Sequence, residues 1–524
     1  MNKMNSKILY TPFLAIAMMN AAAPVAAQES KGWSPAALEM QKESKLWFGS
    51  QNAAGAVFES QKNYSTLRIG YDHSSGNFKP AQTGEKTGNL NIYSEGFVNL
   101  GSSLVWGEFD FTHENADDAL FNASITDPYR GQPYYVVDDG LASDWRNQHY
   151  HLRFRASTPV VWKRFSFGID GTYKASLSAK QRDPRTDTRY YNLRLMPSVV
   201  MALGDYNRIG ANMIYSSIKE ESSMTKSNDY VDQTYYEMYG LGVASSGLGT
   251  GRTTNYFGNK WGFGLQYNHE HDGWNILGEF FWNRCVENVE ISFTTPKKDA
   301  MTNDKVIGGR FTIEKQGRLF KYILAAGYTH RSIDGIQYLS QRDNTENYQG
   351  WITLHSDIRS TYKTDNFHAK YSIIRSNDDE YSWRADASID LVNKDDEFIL
   401  PKSTMDSKNI YINVDFKKNI ILKGDMNRRL LAEVRGGMKN ATSGEYSYNG
   451  SYASYPTVTK LMPLEENYLM CDAWNAGASL TYSQLVKKDA DVNAYVKLDY
   501  DYQKAQDFDF SKRTTFAVTL GANF

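Results

Sequence analysis

The sequence predicts an all-β fold: a transmembrane, antiparallel, up-and-down β-barrel of about 18 strands (14–18), with a short N-terminal periplasmic helix and plug-like segment. Three observations predict it. The N-terminal residues have the composition of a secretory signal peptide. From about residue 64 onward, apolar and polar residues alternate with a period of two. The last residue, Phe524, lies on the apolar face of such an alternating run.

The composition fits a barrel better than a soluble protein. Mean hydropathy is −0.57, and only 41% of the 524 residues are hydrophobic, but 14% are aromatic. A barrel strand faces lipid on one side and water on the other, so its average hydropathy is unremarkable, while interfacial girdles enrich Tyr and Trp. The formal net charge is −2, and no basic stripe with interleaved aromatics indicates a nucleic-acid partner.

Residues 1–27 are predicted to be a signal peptide. Lys3 and Lys7 precede an apolar run over 8–19, and small residues lead to a cleavage site near Ala27. After that site, no stretch approaches the roughly 18 apolar residues of a transmembrane helix. Any later membrane span must therefore be built from strands, in the outer membrane of a Gram-negative cell.

Residues 28–62 are predicted to form a periplasmic helix and a plug that docks in or under the barrel. Ser34 is a candidate helix N-cap, followed by a proline at the first helical position. The run over 46–55 supplies three candidate plug residues, Trp47, Asn52 and Gly55. The alternative is a loosely ordered leader.

Residues 63–524 are predicted to form the barrel. In the run over 492–502, for example, Val496 and Leu498 share an apolar face, and Lys497 lies on the polar face. A soluble β-sandwich also alternates. The runs reach about 10 residues or more, which is the length that a tilted strand needs to cross a membrane, and aromatics cluster near their ends. Both features favour the barrel.

Connections between the runs alternate between short and long, as in outer-membrane barrels. The predicted short turns are 101–102, 204–205, 272–273, 316–317, 378–379 and 487–489. The predicted long loops are 115–146, 221–257, 286–303, 333–365, 394–407 and 441–467. An even strand count places both termini on the periplasmic side.

The final strand carries the strongest single signal. Phe516, Val518, Leu520 and Phe524 share one face of it. A terminal Phe on an amphipathic closing strand resembles the signal that the barrel-assembly machinery reads. We therefore expect outer-membrane lipids and that machinery as partners, and Phe524 as the membrane-insertion signal.

The predicted lumen face is rich in charge of both signs. Charges there could line an aqueous pathway and tune its selectivity, or pair across strands at about 0.2–1 kcal/mol each. Near balance of the two signs favours pairing and a partly filled lumen, with the loops 221–257 and 333–365 as further plug candidates. The lumen-lining candidates are Arg153, Arg155, Asp170, Lys174, Arg310, Glu314, Lys370, Arg384, Asp386, Arg429, Glu433, Arg435, Lys497, Asp499 and Asp501.

No enzyme, cofactor or metal site is predicted. The sequence has no nucleophile elbow, zinc-protease helix, phosphate-binding loop or Cys-x-x-Cys pair. His149 and His151 share a strand face, but no third ligand can be identified, so they are interpreted as polar lumen residues. Cys285 and Cys471 are interpreted as small apolar side chains, with an incidental disulfide as the alternative.

Two resemblances follow from these motifs. Asn52-Ala53-Ala54-Gly55 resembles the Asn-Pro-Ala-Gly turn of the long-chain fatty acid transporter superfamily, departing from it at the proline. That resemblance implies a barrel plugged by an N-terminal hatch. The run over 46–55, the long alternating strands and the terminal Phe together look like a family of uncharacterised outer-membrane barrels from Bacteroidota. This second resemblance implies a location and a fold but no reaction.

The functional prediction is a channel or hatch-gated transporter for small solutes or hydrophobic molecules. The alternative is a plugged barrel that acts as a scaffold or accessory subunit for another outer-membrane protein or a surface lipoprotein. The tyrosine-rich segment 228–257 would suit such a partner.

Overall fold

The computed structural model describes residues 33–524, except 229, 231–232, 249–250, 293–294, 346–347, 423–426 and 488–490. The predicted signal peptide over 1–27 and the first residues of the predicted plug, 28–32, lie outside the described residues. Most of the predicted turn at 487–489 also lies outside them.

The chain folds into a closed antiparallel barrel of 18 strands, which confirms the predicted fold class and strand number. Each barrel strand pairs with its sequence neighbours, and the first strand also pairs with the last, with Leu67 opposite Ala522. The strands of the chain are β1 (Tyr64–Ser75), β2 (Lys86–Leu100), β3 (Ser103–Ala119), β4 (Val136–Val137), β5 (Ser143–Ser157), β6 (Phe165–Lys180), β7 (Arg185–Leu203), β8 (Asn207–Thr225), β9 (Tyr236–Gly240), β10 (Val243–Ser246), β11 (Thr253–His271), β12 (Trp274–Ser292), β13 (Lys297–Gln316), β14 (Phe320–Thr345), β15 (Tyr348–Asn377), β16 (Glu380–Phe398), β17 (Ser403–Ile421), β18 (Arg428–Tyr448), β19 (Ala473–Lys487), β20 (Val492–Ala505) and β21 (Lys512–Asn523). All except β4, β9 and β10 belong to the barrel.

The apolar faces of the barrel strands point outward. On β6, Phe167 is 42% exposed and Ile169 is 37% exposed, whereas Ser166 and Asp170 are fully buried. A soluble sandwich buries its apolar faces and exposes its polar ones. The reversed arrangement here is typical of a barrel that presents its apolar face to lipid.

The short turns lie at one end of the barrel, where β1 begins and β21 ends. Strands β2 and β3 are joined through 101–102, and β11 and β12 through 272–273, as predicted. The longest connections, 120–142, 226–252 and 449–472, lie at the opposite end. No helix among the described residues is long and apolar enough to cross a membrane.

Three predicted long loops are wrong. Residues 286–303, 333–365 and 394–407 consist mostly of strand: β12 and β13 are joined through 293–296, β16 and β17 are joined through 399–402, and β14 and β15 form one long hairpin. The hairpin carries polar residues on both faces, so its sequence lacks the alternation of a strand beside lipid. Its backbone groups are nevertheless paired, with Gln337 opposite Asp357 and Arg342 opposite Trp351. The segment 333–365 is therefore not a plug.

The N-terminal segment forms short helices inside the lumen at the end with the short turns. Helix α1 (Pro35–Glu43) is capped by Ser34, whose Oγ accepts a bond from the Ala37 amide at 3.2 Å. A four-residue helix, α2 (Leu46–Gly49), and a 3₁₀ helix (Ala53–Phe58) follow. We call residues 33–61 the plug.

Three inward loops close the other end. Strands β4, β9 and β10 form a small sheet, and helix α3 (Met462–Met470) follows a π-helical turn (Thr457–Leu461). We call 120–142, 233–248 and 451–472 the cap. Large side chains from these loops and from the adjoining barrel wall form one core cluster, which includes Phe121, Ile125, Tyr135, Tyr236, Met238, Tyr256 and Leu461.

Candidate functional site

One side of the plug is held by an acid–base network on β16 and β17. Glu39 of α1 accepts bonds from Tyr381 Oη at 2.8 Å, Arg384 Nη1 at 3.1 Å and Lys417 Nζ at 2.7 Å. Arg384 also lies 2.6 Å from Glu43. Glu39 and Glu43 are one helical turn apart and therefore face the same wall.

The opposite side of the plug is held by guanidinium groups from β5. Arg155 donates to the backbone carbonyls of Phe48 and Ser50. Asp170, which is fully buried, pairs with both Arg155 and Arg153. The plug is therefore anchored to opposite walls of the lumen.

The three predicted plug residues lie together at the centre of this segment. Trp47 is 1% exposed, and its Nε1 donates to Asn268 Oδ1 at 3.2 Å. Asn52 Nδ2 donates to Gln266 Oε1 at 2.8 Å, and Asn52 Oδ1 accepts from the Ala54 amide at 3.0 Å. A Cβ atom at Gly55 would lie 2.0 Å from the Trp47 ring, so only glycine lets the chain pass so close.

A buried carboxylate fixes the start of α2. Glu59 accepts bonds from the Trp47 amide at 3.0 Å and the Phe48 amide at 3.2 Å. Loss of hydration raises the pKa of Glu59 to about 7, and the two backbone donors only partly oppose that rise.

The predicted lumen charges point inward and are mostly paired. Lys174 lies opposite His151 in the β5–β6 register. The ion pairs are Arg310–Glu279, Glu314–Lys321 at 2.6 Å, Lys370–Asp386 at 3.8 Å, Arg384–Asp386 at 2.6 Å, Arg429–Glu380 at 2.9 Å, Glu433–Arg435 at 3.2 Å, Arg435–Asp499 at 2.7 Å, Arg435–Asp501 at 2.8 Å and Lys497–Asp499 at 2.9 Å. The arrangement favours cross-strand pairing over an open ring of like charge.

Sequence reasoning missed the residue that anchors the cap. Arg130 lies between two carboxylates of the barrel wall, 2.7 Å from Glu220 and 3.0 Å from Glu287, and 5.1 Å from the centre of the Tyr256 ring. Glu220 also accepts a bond from the Thr126 amide at 2.7 Å. No sequence signal marks Arg130, because it stands in a loop without periodicity. Glu39 was missed too, although its spacing from Glu43 marks a charged helix face.

Three cavities lie along one side of the barrel, from β8 to β17, and the central one borders β12 to β15. An upper cavity of about 460 Å³ lies under the cap, a central cavity of about 570 Å³ above the plug, and a lower cavity of about 700 Å³ at the end with the short turns. The central cavity mixes charged and apolar side chains. Its lining includes Lys42, Glu43, Lys45, Leu277, Glu279, Phe281, Arg310 and His368.

Neither a metal site nor a disulfide is formed by the part of the chain that the structure describes. No group of three or more metal-binding side chains converges there. His149 bonds to Ser176 Oγ at 2.8 Å, and His151 faces a different partner, Glu108, at 3.5 Å. Cys285 and Cys471 are both free and buried, so the disulfide alternative is wrong.

Comparisons with solved structures find barrels with low sequence identity. The copper transporter OprC is 10% identical, with 88% of this chain and 80% of that chain covered, at a TM-score of 0.40. The ferric yersiniabactin uptake receptor FyuA from Yersinia pestis is 8% identical, with 89% and 80% covered, at 0.39. The outer membrane transporter YddB from Escherichia coli is 9% identical, with 89% and 81% covered, at 0.38. The resemblance to the long-chain fatty acid transporter superfamily stays a likeness of four residues, 52–55.

No curated protein matches the chain. Residues 53–524 match a family described as a family of unknown function, DUF6850. That match begins inside the plug and covers the whole barrel. The protein belongs to the DUF6850 family.

Proposed function

We propose that the protein is a hatch-gated transporter of the outer membrane, in which the plug is the hatch. One observation carries the proposal: the plug crosses the lumen from β5 to β16 and β17, yet cavities remain on both sides of it. A permanently open diffusion channel needs no such segment. A lumen filled only for stability needs no cavities.

The chemistry of the plug–wall interface supports release. The plug is held mainly by hydrogen bonds and ion pairs, and water can replace both. Each such hydrogen bond contributes only about 0.5–1.5 kcal/mol net. The buried apolar side chains of the plug are five alanines and only four large residues, Trp33, Leu38, Leu46 and Trp47.

The lining supports small polar solutes over hydrophobic molecules. The central cavity is bordered by Lys42, Lys45, Glu279 and Arg310. Transfer of an apolar molecule to such a site would leave these groups without water or a hydrogen-bonding partner. The outward apolar face supports an outer-membrane location, with both termini periplasmic.

Removal of the plug tests this function. We expect deletion of 33–61 to raise conductance in planar bilayers at least tenfold over the intact chain. A second variant, Arg155→Ala with Arg384→Ala, loosens the plug at both walls without shortening the chain. The control is Lys163→Ala, because Lys163 is exposed in the turn between β5 and β6 at the same end of the barrel. Folded variants, verified by circular dichroism, that conduct no better than the intact chain would refute the proposal.

A scaffold role is the second candidate, and the long hairpin of β14 and β15 favours it. β13 pairs with β14 only as far as Gln337, and β16 pairs with β15 only from Ser360. Beyond those points the described residues of the hairpin form no ladder with β13 or β16, and Leu339 and Leu354 are exposed. Stoichiometric co-purification of another outer-membrane protein, lost when the hairpin is shortened, would support this role.

A further inference from the structure

The upper and central cavities adjoin each other. Thr329 and Asn366 line both of them. These two residues lie directly opposite each other on β14 and β15. A solute that passes the cap on this side therefore reaches the plug along one wall of the barrel.

The central and lower cavities meet at one side chain. Lys45 lines both of them and is the only residue common to the two linings among the described residues. It stands between α1 and α2, directly before the helix whose first amides are fixed by Glu59. The bonds to Glu59 fix the backbone next to Lys45. The Lys45 side chain lies between the central and lower cavities.

The charge around the central cavity is not balanced. Its two carboxylates are neutralised, because Glu43 pairs with Arg384 and Glu279 pairs with Arg310 and accepts the Gln51 amide. In contrast, Lys45 has no carboxylate oxygen within 4.0 Å among the described residues, and the two carboxylates on which its charge acts, Glu59 and Glu314, line the lower cavity. The unpaired charge that a solute meets on the central-cavity side is therefore positive.

We propose that a small anionic solute crosses along the wall of β11 to β15, and that Lys45 is the barrier and the selecting charge on that route. The inference rests on the transport function proposed above and names its substrate class and path. The central cavity, at about 570 Å³, has the size of a site for a small molecule. The ammonium of Lys45 attracts the anion, and movement of its flexible side chain opens the passage.

Charge reversal at Lys45 tests the route. The intact chain is reconstituted in planar bilayers with a potassium chloride gradient, and the reversal potential gives the chloride-to-potassium permeability ratio. We expect Lys45→Ala to raise conductance at least threefold and Lys45→Glu to lower the permeability ratio at least fivefold. The matched control is Lys163→Glu, which makes the same charge change in the exposed turn between β5 and β6, at the same end of the barrel, and leaves both quantities unchanged.

A chemical readout makes the test independent of conduction. Thr312 lines the central cavity, and Thr312→Cys places a thiol there, while the native cysteines are buried. We expect an anionic methanethiosulfonate, bearing a sulfonate, to react faster than a cationic one bearing a trimethylammonium group. Adding Lys45→Glu reverses that order.

The outcomes separate the two proposals. If deletion of 33–61 raises conductance but neither Lys45 variant changes conductance or selectivity, the route is wrong and the hatch stands. If the deletion of 33–61 does not raise conductance, the proposed transport function is wrong, and this inference is wrong with it. An unchanged order of thiol reactivity in the Lys45→Glu background also overturns the inference.

Discussion

The plug and the cap both close the lumen, but they do so with different chemistry. The plug is one continuous segment that packs two small apolar clusters, around Trp33 and Trp47, against the wall and is tied to several strands by polar contacts. The cap is built from three loops that share one cluster of large apolar side chains with the barrel wall. It is also anchored by the buried group of Arg130, Glu220 and Glu287.

This difference indicates which end is able to open. Hydrophobic stabilisation grows with the apolar area removed from water, at about 25 cal/mol per Å², and the cap holds more large apolar side chains in its one cluster than the plug holds in either of its two. Moving the plug exposes two small clusters and exchanges its polar bonds for bonds to water, whereas opening the cap exposes the larger core. We therefore propose the plug as the hatch and the cap as the fixed end of the barrel.

The largest expected effect on stability comes from a substitution in the cap. Arg130→Ala leaves Glu220 and Glu287 buried without their counter-charge, which costs about 3–5 kcal/mol for a broken buried pair. We expect a lower unfolding midpoint in urea and protease cleavage within 120–142. Neutralising the carboxylates as well, with Glu220→Gln and Glu287→Gln, should recover much of the loss. A wild-type midpoint for Arg130→Ala would mean that the triad does not hold the cap.

A smaller effect is expected from crowding the plug. In Gly55→Ala the new Cβ would lie 2.0 Å from the Trp47 ring, and overpacking of this kind costs about 1–3 kcal/mol. We expect faster trypsin cleavage of the plug with an unchanged barrel. The matched control is Gly49→Ala, because a Cβ at Gly49 meets nothing within 4 Å. Equal cleavage rates for the two variants would contradict the packing described for Trp47.

The smallest expected effect is a pH dependence of plug docking. The pKa of Glu59 is raised from 4.5 to about 7 in the docked plug, so the docked state holds its proton more tightly than the released state. The resulting stabilisation is complete below about pH 4.5 and is lost as the pH rises through about 7. The Glu59 side chain borders the lower cavity, where water screens its charge. We therefore expect the docking equilibrium of the plug to change by about tenfold.

Trypsin protection of the plug, measured between pH 5 and 8, checks this prediction. Protection should fall with rising pH in the wild type and stay flat in Glu59→Gln, which removes the titrating group. A parallel decline in both proteins would assign the pH dependence to other groups.

The parts that the sequence predicted are the parts set by local pattern. Alternation with period two is visible in each strand, so the barrel, its strand number and the inward charges such as Arg155 follow from it. The Asn52–Gly55 turn pointed to the plug because an Asn cap and a glycine at a close approach are local features as well.

The remainder depended on contacts between residues far apart in the sequence. Arg130 meets Glu220 and Glu287 only after the barrel has closed, and nothing in the loop 120–142 shows this in advance. The hairpin at 333–365 has polar residues on both faces, because a strand that does not face lipid needs no apolar face. Its sequence therefore lacks the alternation that predicts a strand.

A reversible tether between plug and wall tests the central claim most directly. The Ala54 amide donates to Ser198 Oγ at 3.2 Å, so the plug and β7 are in contact there, and Ala54→Cys with Ser198→Cys introduces one thiol on each side of that contact. We predict that solute flux into proteoliposomes stops when the pair is oxidised and returns to the wild-type rate after reduction. Equal flux in the oxidised and reduced states would show that solute passes without movement of the plug, which contradicts a hatch.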